Sequence, residues 1–132
     1  MGFEQLLKNI YFNKIDNMKV GREFHFDSAH SIEGRKKCGR IHGHTYRLEI
    51  VVEGDPAEND MVIDFGELKE IVNENIINKL DHQILDDIVE NPTAENISNW
   101  IYNKLERSFE DRPVNIYSVK LWEGKNKWVK KD

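Results

Sequence analysis

His30, His42 and His44, with Cys38 among them, are the residues of this 132-residue chain whose types and spacing could do chemistry. His42 and His44 are two apart at the head of the β-rich run Tyr46-Arg47-Leu48-Glu49-Ile50-Val51-Val52. On a strand, residues of equal parity share a face. His42, His44, Tyr46, Leu48, Ile50 and Val52 therefore point one way. Upstream, Val20, Phe24, Phe26, Ser28 and His30 form a second same-parity set that ends in His30, and His25 falls on the opposite face. If the segment from Ser31 to Ile41 joins antiparallel neighbours, His30 leaves one strand where His42 and His44 enter the next. Two or three imidazoles at the end of an apolar face are costly unless something satisfies them. Three His with no second Cys nearby describe an open metal site, its fourth position left for water or substrate, and the ligand type puts zinc first. Hydrogen-bonded core histidines are the competing reading.

Three further groups are candidates. Cys38 lies in a loop with Arg35, Lys36, Lys37 and Arg40. Cations, and a zinc ion where one is bound, favour the thiolate; the alternative is a free surface thiol. The same four cations could hold an oligophosphate or simply be solvated. Asp81-His82 sets a carboxylate beside an imidazole at a helix end, either an acid–base pair or a helix-end ion pair. Glu123 shares parity with Val119 and Leu121, and a carboxylate on an apolar face needs donors. An amino-heterocycle with adjacent ring N–H and amino groups would supply two; a solvated strand end would need none.

The elements that must position these residues follow from periodicity. Phe3, Leu6, Leu7, Ile10 and Tyr11 give a short amphipathic helix in residues 1–17, an N-terminal extension without assigned chemistry. Strands are expected over 18–30 and from His42 to about Glu53, then a break at Gly54-Asp55-Pro56 and a short apolar return at Met61-Val62-Ile63. Asp64 with Glu67 reads as a capping box before a helix with its stripe at Leu68, Ile71, Val72, Ile76 and Leu80. Asn91 as cap with Pro92 at the first helical position, or Thr93 as cap, starts a second helix with Ile97, Trp100, Ile101 and Leu105 buried. Val114 to Trp122 and Trp128-Val129 complete the chain. The order ββααββ implies an α+β domain over 18–132, a four-stranded antiparallel sheet with two helices on one face. Apolar residues of both parities, such as Val51, Val119 and Leu121, make self-association the economical cover for the other face.

A third of the residues are charged and the net charge is −5, so nothing draws the chain globally to nucleic acid or anionic membrane. One cysteine rules out an internal disulfide and fits a reducing compartment, so a cytoplasmic location is expected. No apolar run approaches the roughly 20 residues of a membrane helix. Glu4, Lys8 and Lys14 do not read as a secretory signal.

Phe26-Asp27-Ser28-Ala29-His30, Cys38-x-x-x-His42-Gly43-His44, Ile63-Asp64-Phe65, Leu80-Asp81-His82, Asn91-Pro92-Thr93-Ala94-Glu95-Asn96 and Val119-Lys120-Leu121-Trp122-Glu123 resemble, in order and spacing, the 6-pyruvoyl-tetrahydropterin synthase / 6-carboxy-tetrahydropterin synthase family. The resemblance covers about residues 18–130. It implies the tunnelling (T-) fold, in which three subunits close their sheets into a barrel and two trimers stack. It further implies that His30, His42 and His44 hold zinc, that Cys38 is the proton-abstracting base, that Asp81 and His82 form a second acid–base pair, and that Glu123 anchors a pterin ring. Asp64, Thr93 and Glu95 would be mainly structural. The three residues between Cys38 and His42 resemble the 6-carboxy branch of queuosine or archaeosine synthesis. The reaction implied converts 7,8-dihydroneopterin triphosphate to 6-carboxytetrahydropterin, acetaldehyde and triphosphate; the 6-pyruvoyl synthase, which keeps the carbon chain, is the alternative.

Overall fold

The computed structural model describes residues 2–4, 17–34 and 39–132. The helix expected over 1–17 falls largely outside the described residues. Two 13-residue strands, β1 (Met18–His30) and β2 (His42–Gly54), pair antiparallel along their whole length, from Met18 opposite Gly54 to His30 opposite His42. Both alternate apolar and polar residues, so the pleat sends Phe24, Phe26, Ser28 and His30, with Tyr46, Leu48, Ile50 and Val52, to one buried face. β3 (Val114–Glu123) pairs antiparallel with β2, and β4 (Trp128–Lys131) with β3, giving the order β1-β2-β3-β4. Gly124, at φ +76°, takes the left-handed turn that leaves Glu123 at the strand end.

One irregularity changes how β3 is read. Val51 faces Ser118, but Val52 faces Ile116, so Tyr117 is an extra residue in the ladder. This β-bulge reverses parity along the strand. Ile116 before it and Val119 and Leu121 after it all point to the same face.

That face is covered by α1 (Phe65–Val72), which runs on through a π turn (Asn73–Ile77) and a last turn (Asn78–Leu80), and by α2 (Ala94–Ser108). Leu68, Val72, Ile76 and Leu80, with Ile97, Ile101 and Leu105, are fully buried in one cluster with the inner sheet residues. Each such side chain contributes roughly 1.5–3 kcal/mol relative to exposure. The π turn has a visible cause. The side-chain amide of Asn75 donates to the Ile71 carbonyl at 2.8 Å, the acceptor that the Asn75 main chain would use in an α-helix.

Capping differs in two places from the sequence expectation. Asp64 does cap α1, accepting from the N–H groups of Gly66 and Glu67. The reciprocal half of the capping box is not made, because the Glu67 carboxylate pairs with Arg112 instead. For α2 the cap is Thr93, whose hydroxyl accepts from Asn96 N–H at 3.1 Å, and not Asn91. Asn91 takes a left-handed conformation (φ +44°) and its carbonyl accepts from Thr93 N–H and the Asn96 side chain. The expected apolar return at 61–63 forms no strand, although Ile63 is buried.

The opposite sheet face is dressed by cations on aromatic rings. Arg47 lies 3.7 Å over the Trp122 ring and Lys120 lies 4.1 Å over Trp128. Val119 and Leu121 are therefore helix-side core, while Val51 sits half-buried on this other face. Among the described residues no helix is long and apolar enough to cross a membrane.

Candidate metal centre and its surroundings

The end-to-end register of β1 and β2 sets His30 directly opposite His42, with His44 opposite Ser28, two residues back along β1. The three imidazoles meet edge to face, their ring centroids 4.7, 5.0 and 4.8 Å apart. One ligand atom from each lies within 4.8 Å of the other two, the convergence that a tetrahedral metal needs. His25 is exposed on the other face, opposite Arg47.

Hydrogen bonding decides which nitrogens are on offer. His30 Nδ1 lies 2.7 Å from the Pro92 carbonyl and His42 Nδ1 lies 2.7 Å from the Arg40 carbonyl. A carbonyl only accepts, so each Nδ1 carries a proton and donates it, and in the neutral ring Nε2 is the nitrogen that keeps a lone pair. His30 Nε2 and His44 Nε2 are buried without a hydrogen-bond partner. An unsatisfied buried nitrogen is uncommon and calls for a reason. The competing reading of hydrogen-bonded core histidines accounts for the Nδ1 atoms and leaves these two Nε2 atoms unexplained; a metal accounts for both. Burial lowers the His44 pKa, the Glu123 carboxylate opposes that, and the neighbouring His30 and His42 add to the lowering. A neutral imidazole, the metal-binding form, results.

Glu123 reaches the same centre from β3, opposite Tyr46. Its carboxylate lies 3.3 Å from His44 Nε2 and 3.9 Å from His30 Nε2. It also lines a cavity of about 340 Å³ with Ile32, Thr93, Ala94, Glu95, Lys127 and Val129. A small heterocycle fits a pocket of that size. Thr93 and Glu95 thus border the cavity, and Thr93 also caps α2.

Asp81 and His82 form the pair expected, with His82 Nδ1 2.9 Å from an Asp81 oxygen. Their placement is a separate matter. The segment from Asp81 to Ile84 lies along the free edge of β1, where Asp27 N–H donates to Asp81 Oδ1 at 2.9 Å, His82 N–H to the Asp27 carbonyl at 2.7 Å, and Ala29 N–H to the Gln83 carbonyl at 3.0 Å. His82 adopts φ +56° and its ring is 79% exposed. Among the described residues it has no hydrogen bond to the three-His cluster, though it borders a concavity of about 520 Å³ with His44. The Asp27 peptide N–H, then His82, holds the Asp81 carboxyl below its usual range. The hydrogen bond that His82 donates to the Asp81 carboxylate holds its imidazole above its own usual range.

Cys38, Arg35, Lys36 and Lys37 lie outside the described residues. Arg40 is exposed, and its backbone rather than its side chain meets the cluster. Sequence reasoning missed the Pro92 carbonyl, the Tyr46 hydroxyl 3.2 Å from His30 Nδ1, and Asp86. Asp86 accepts from Ser31 N–H at 2.9 Å and from the Ser31 hydroxyl, fixing the chain just after His30. Burial acts against ionisation of Asp86, but the two Ser31 bonds outweigh it and hold its pKa low. Tyr46 alone gave a signal, an aromatic residue with a polar tip on the same parity as His44.

Comparison with known proteins agrees with this geometry. The family model for 6-pyruvoyl tetrahydropterin synthase matches residues 19–132. A Haemophilus influenzae protein named 6-carboxy-5,6,7,8-tetrahydropterin synthase is 34% identical, over 80% of this chain and 92% of that one. A Pyrococcus furiosus protein named dihydroneopterin monophosphate aldolase is 38% identical, over 75% of this chain and 83% of its own length. The solved structure of 6-pyruvoyl tetrahydropterin synthase from Caenorhabditis elegans superposes with a TM-score of 0.76 at 24% identity, covering 87% of this chain and 94% of that chain, so the T-fold is shared. With the family model matching the whole of the chain beyond its first 18 residues, the chain belongs to the 6-pyruvoyl tetrahydropterin synthase family.

Proposed function

We propose that this chain is a zinc-dependent 6-carboxy-5,6,7,8-tetrahydropterin synthase that converts 7,8-dihydroneopterin triphosphate and water to 6-carboxytetrahydropterin, acetaldehyde and triphosphate for 7-deazaguanine (queuosine or archaeosine) synthesis. The observation that carries the reading is the convergence of three imidazoles, with the buried Nε2 atoms of His30 and His44 lacking hydrogen-bond partners and the Glu123 carboxylate beside them. The name of the Haemophilus influenzae relative and the three-residue gap between Cys38 and His42 support the carboxy branch.

His30, His42 and His44 would hold zinc, which supplies Lewis acidity toward the substrate's side-chain hydroxyls. Glu123, acceptor-only when ionised, takes the ring N–H and amino donors of the pterin in the cavity it lines. Cys38 removes a proton from the side chain, and the Asp81–His82 pair moves the second. Residues 18–132 form the synthase domain and residues 1–17 an extension outside it. The sheet face of Arg47, Trp122, Lys120 and Trp128 is where copies associate, as a trimer or a hexamer. The single cysteine suits the reducing cytoplasm.

Incubation with dihydroneopterin triphosphate and mass analysis of products tests the reaction. Carboxylated pterin with acetaldehyde is expected. A pterin that keeps its side-chain carbons moves the chain to 6-pyruvoyl synthesis. The Pyrococcus furiosus relative gives a second reading, and turnover of dihydroneopterin monophosphate in preference to the triphosphate would favour it.

A further inference from the structure

Of the three imidazoles, His30 is the one set deepest, fully buried at the end of β1. Its Nδ1 has two oxygen neighbours, the Pro92 carbonyl at 2.7 Å and the Tyr46 hydroxyl at 3.2 Å. The two oxygens are not equivalent. Pro92 offers an acceptor and no proton, so the short contact fixes a proton on Nδ1. The Tyr46 hydroxyl then cannot donate to that nitrogen, and serves as a second, longer acceptor of the same N–H. Tyr46 is itself rigid. Its ring stacks on Phe26 with centroids 4.9 Å apart, and the side chain is fully buried. Burial and the Glu123 charge both raise the pKa of its hydroxyl, which stays neutral.

The two oxygens come from different parts of the chain. Pro92 precedes the Thr93 cap of α2, and Tyr46 lies on β2, two residues beyond His44. The His30 ring is thus gripped between the start of a helix and the strand that carries the other two imidazoles. We propose that Tyr46 is a positioning residue for the metal: with the Pro92 carbonyl it holds the His30 ring in the one tautomer and orientation that present Nε2 to a divalent cation. The inference rests on the three-His metal reading. Outer hydrogen-bond partners of metal-bound His typically change affinity by roughly 10–100-fold when removed. Because Pro92 keeps the shorter contact, loss of the Tyr46 hydroxyl belongs at the low end, about 10-fold.

The test uses Tyr46→Phe, which keeps the ring and its stacking and removes only the hydroxyl. Zinc affinity is measured on full-length protein by competition with a chelating dye, and the His30 Nδ1–H proton is followed by NMR with and without zinc. The expected result is zinc binding about 10-fold weaker, with an Nδ1–H resonance that exchanges faster and shifts upfield. Zinc affinity within twofold of the parent, with an unmoved Nδ1–H signal, would overturn the proposal. A parent chain that binds no zinc would defeat the metal reading itself, an outcome visible before any variant is made. Should Tyr46→Phe fold poorly, Tyr46→Leu, which lacks the hydroxyl and any metal-binding atom, replaces it. The Nδ1–H signal of the parent remains a separate check, because an Nδ1 without a proton contradicts the assigned tautomer.

Discussion

Metal removal should cost this protein stability as well as activity. The structure gives a reason and a size. His30 Nε2 and His44 Nε2 are buried with no hydrogen-bond partner, the Glu123 carboxylate lying 3.9 and 3.3 Å away. Each unsatisfied buried polar group costs about 1–3 kcal/mol, so the metal-free native state carries roughly 2–6 kcal/mol of unmet demand. That is a large share of a domain's typical net stability of about 5–15 kcal/mol. Zinc at about 100 times its dissociation constant stabilises the native state by about 2.7 kcal/mol through mass action. For a chain of this length each kcal/mol moves Tm by roughly 3–5 °C, interpolating between smaller and larger domains. Zinc also binds His and Cys side chains of the unfolded chain, which trims the gain. The expected rise is therefore about 5–10 °C. The assay is differential scanning calorimetry of chelator-treated protein, repeated with increasing zinc, for the parent and for His42→Ala. A rise below about 2 °C at saturating zinc, or an equal rise in His42→Ala, would refute the reasoning.

Three further outcomes are expected. Metal analysis should find zinc retained in His25→Ala and lost in His42→Ala, since only His42 shares the inner face with His30; the reverse pattern would mean that the register is misread. Cys38→Ala should keep its zinc and lose roughly 10²–10⁴-fold in turnover with 7,8-dihydroneopterin triphosphate; parent-like rates would send the search for the base to His82. The Asp81–His82 pair should persist over a defined pH window. The His82 pKa lies above 6.5 in the fold, so the contribution of the pair is complete below that pH and fades as pH rises through the raised value. The Asp81 pKa lies below 3.8, so the contribution is complete above that pH and fades as pH falls through the lowered value. In Asp81→Asn the His82 midpoint, read by NMR, should drop toward 6.5, and an unmoved midpoint would contradict the pairing.

The candidate metal ligands were legible because a strand has a period of two and little freedom within it. His30, His42, His44 and Glu123 each sit on the face that their parity demands. Pro92 was not legible for the opposite reason. It acts through a backbone carbonyl, which every residue has, and it reaches His30 across 62 positions. The Asn91 and Thr93 caps competed on equal local chemistry, and it is Thr93 whose hydroxyl accepts from Asn96 N–H and caps α2. The pairing of Asp81 with His82 followed from adjacency, but their seat on the β1 edge depends on Asp27 N–H and carbonyl groups that no side-chain pattern reveals.

The extra residue at Tyr117 bears on how the gene tolerates change. A pleated strand is read in steps of two, much as a message is read in triplets, and the bulge works as a built-in frameshift. Upstream of it, even-numbered residues of β3 face the core; downstream, odd-numbered ones do. Deleting Tyr117 itself would straighten the ladder and leave Glu123 opposite Tyr46. A one-codon deletion between Tyr117 and Glu123, with the bulge and the upstream pairing held, would instead set Glu123 opposite Arg47 and turn it to the other face, away from His44. Loss of one residue should therefore be absorbed at Tyr117, while a lone deletion after it should leave a folded chain whose carboxylate no longer meets the histidines.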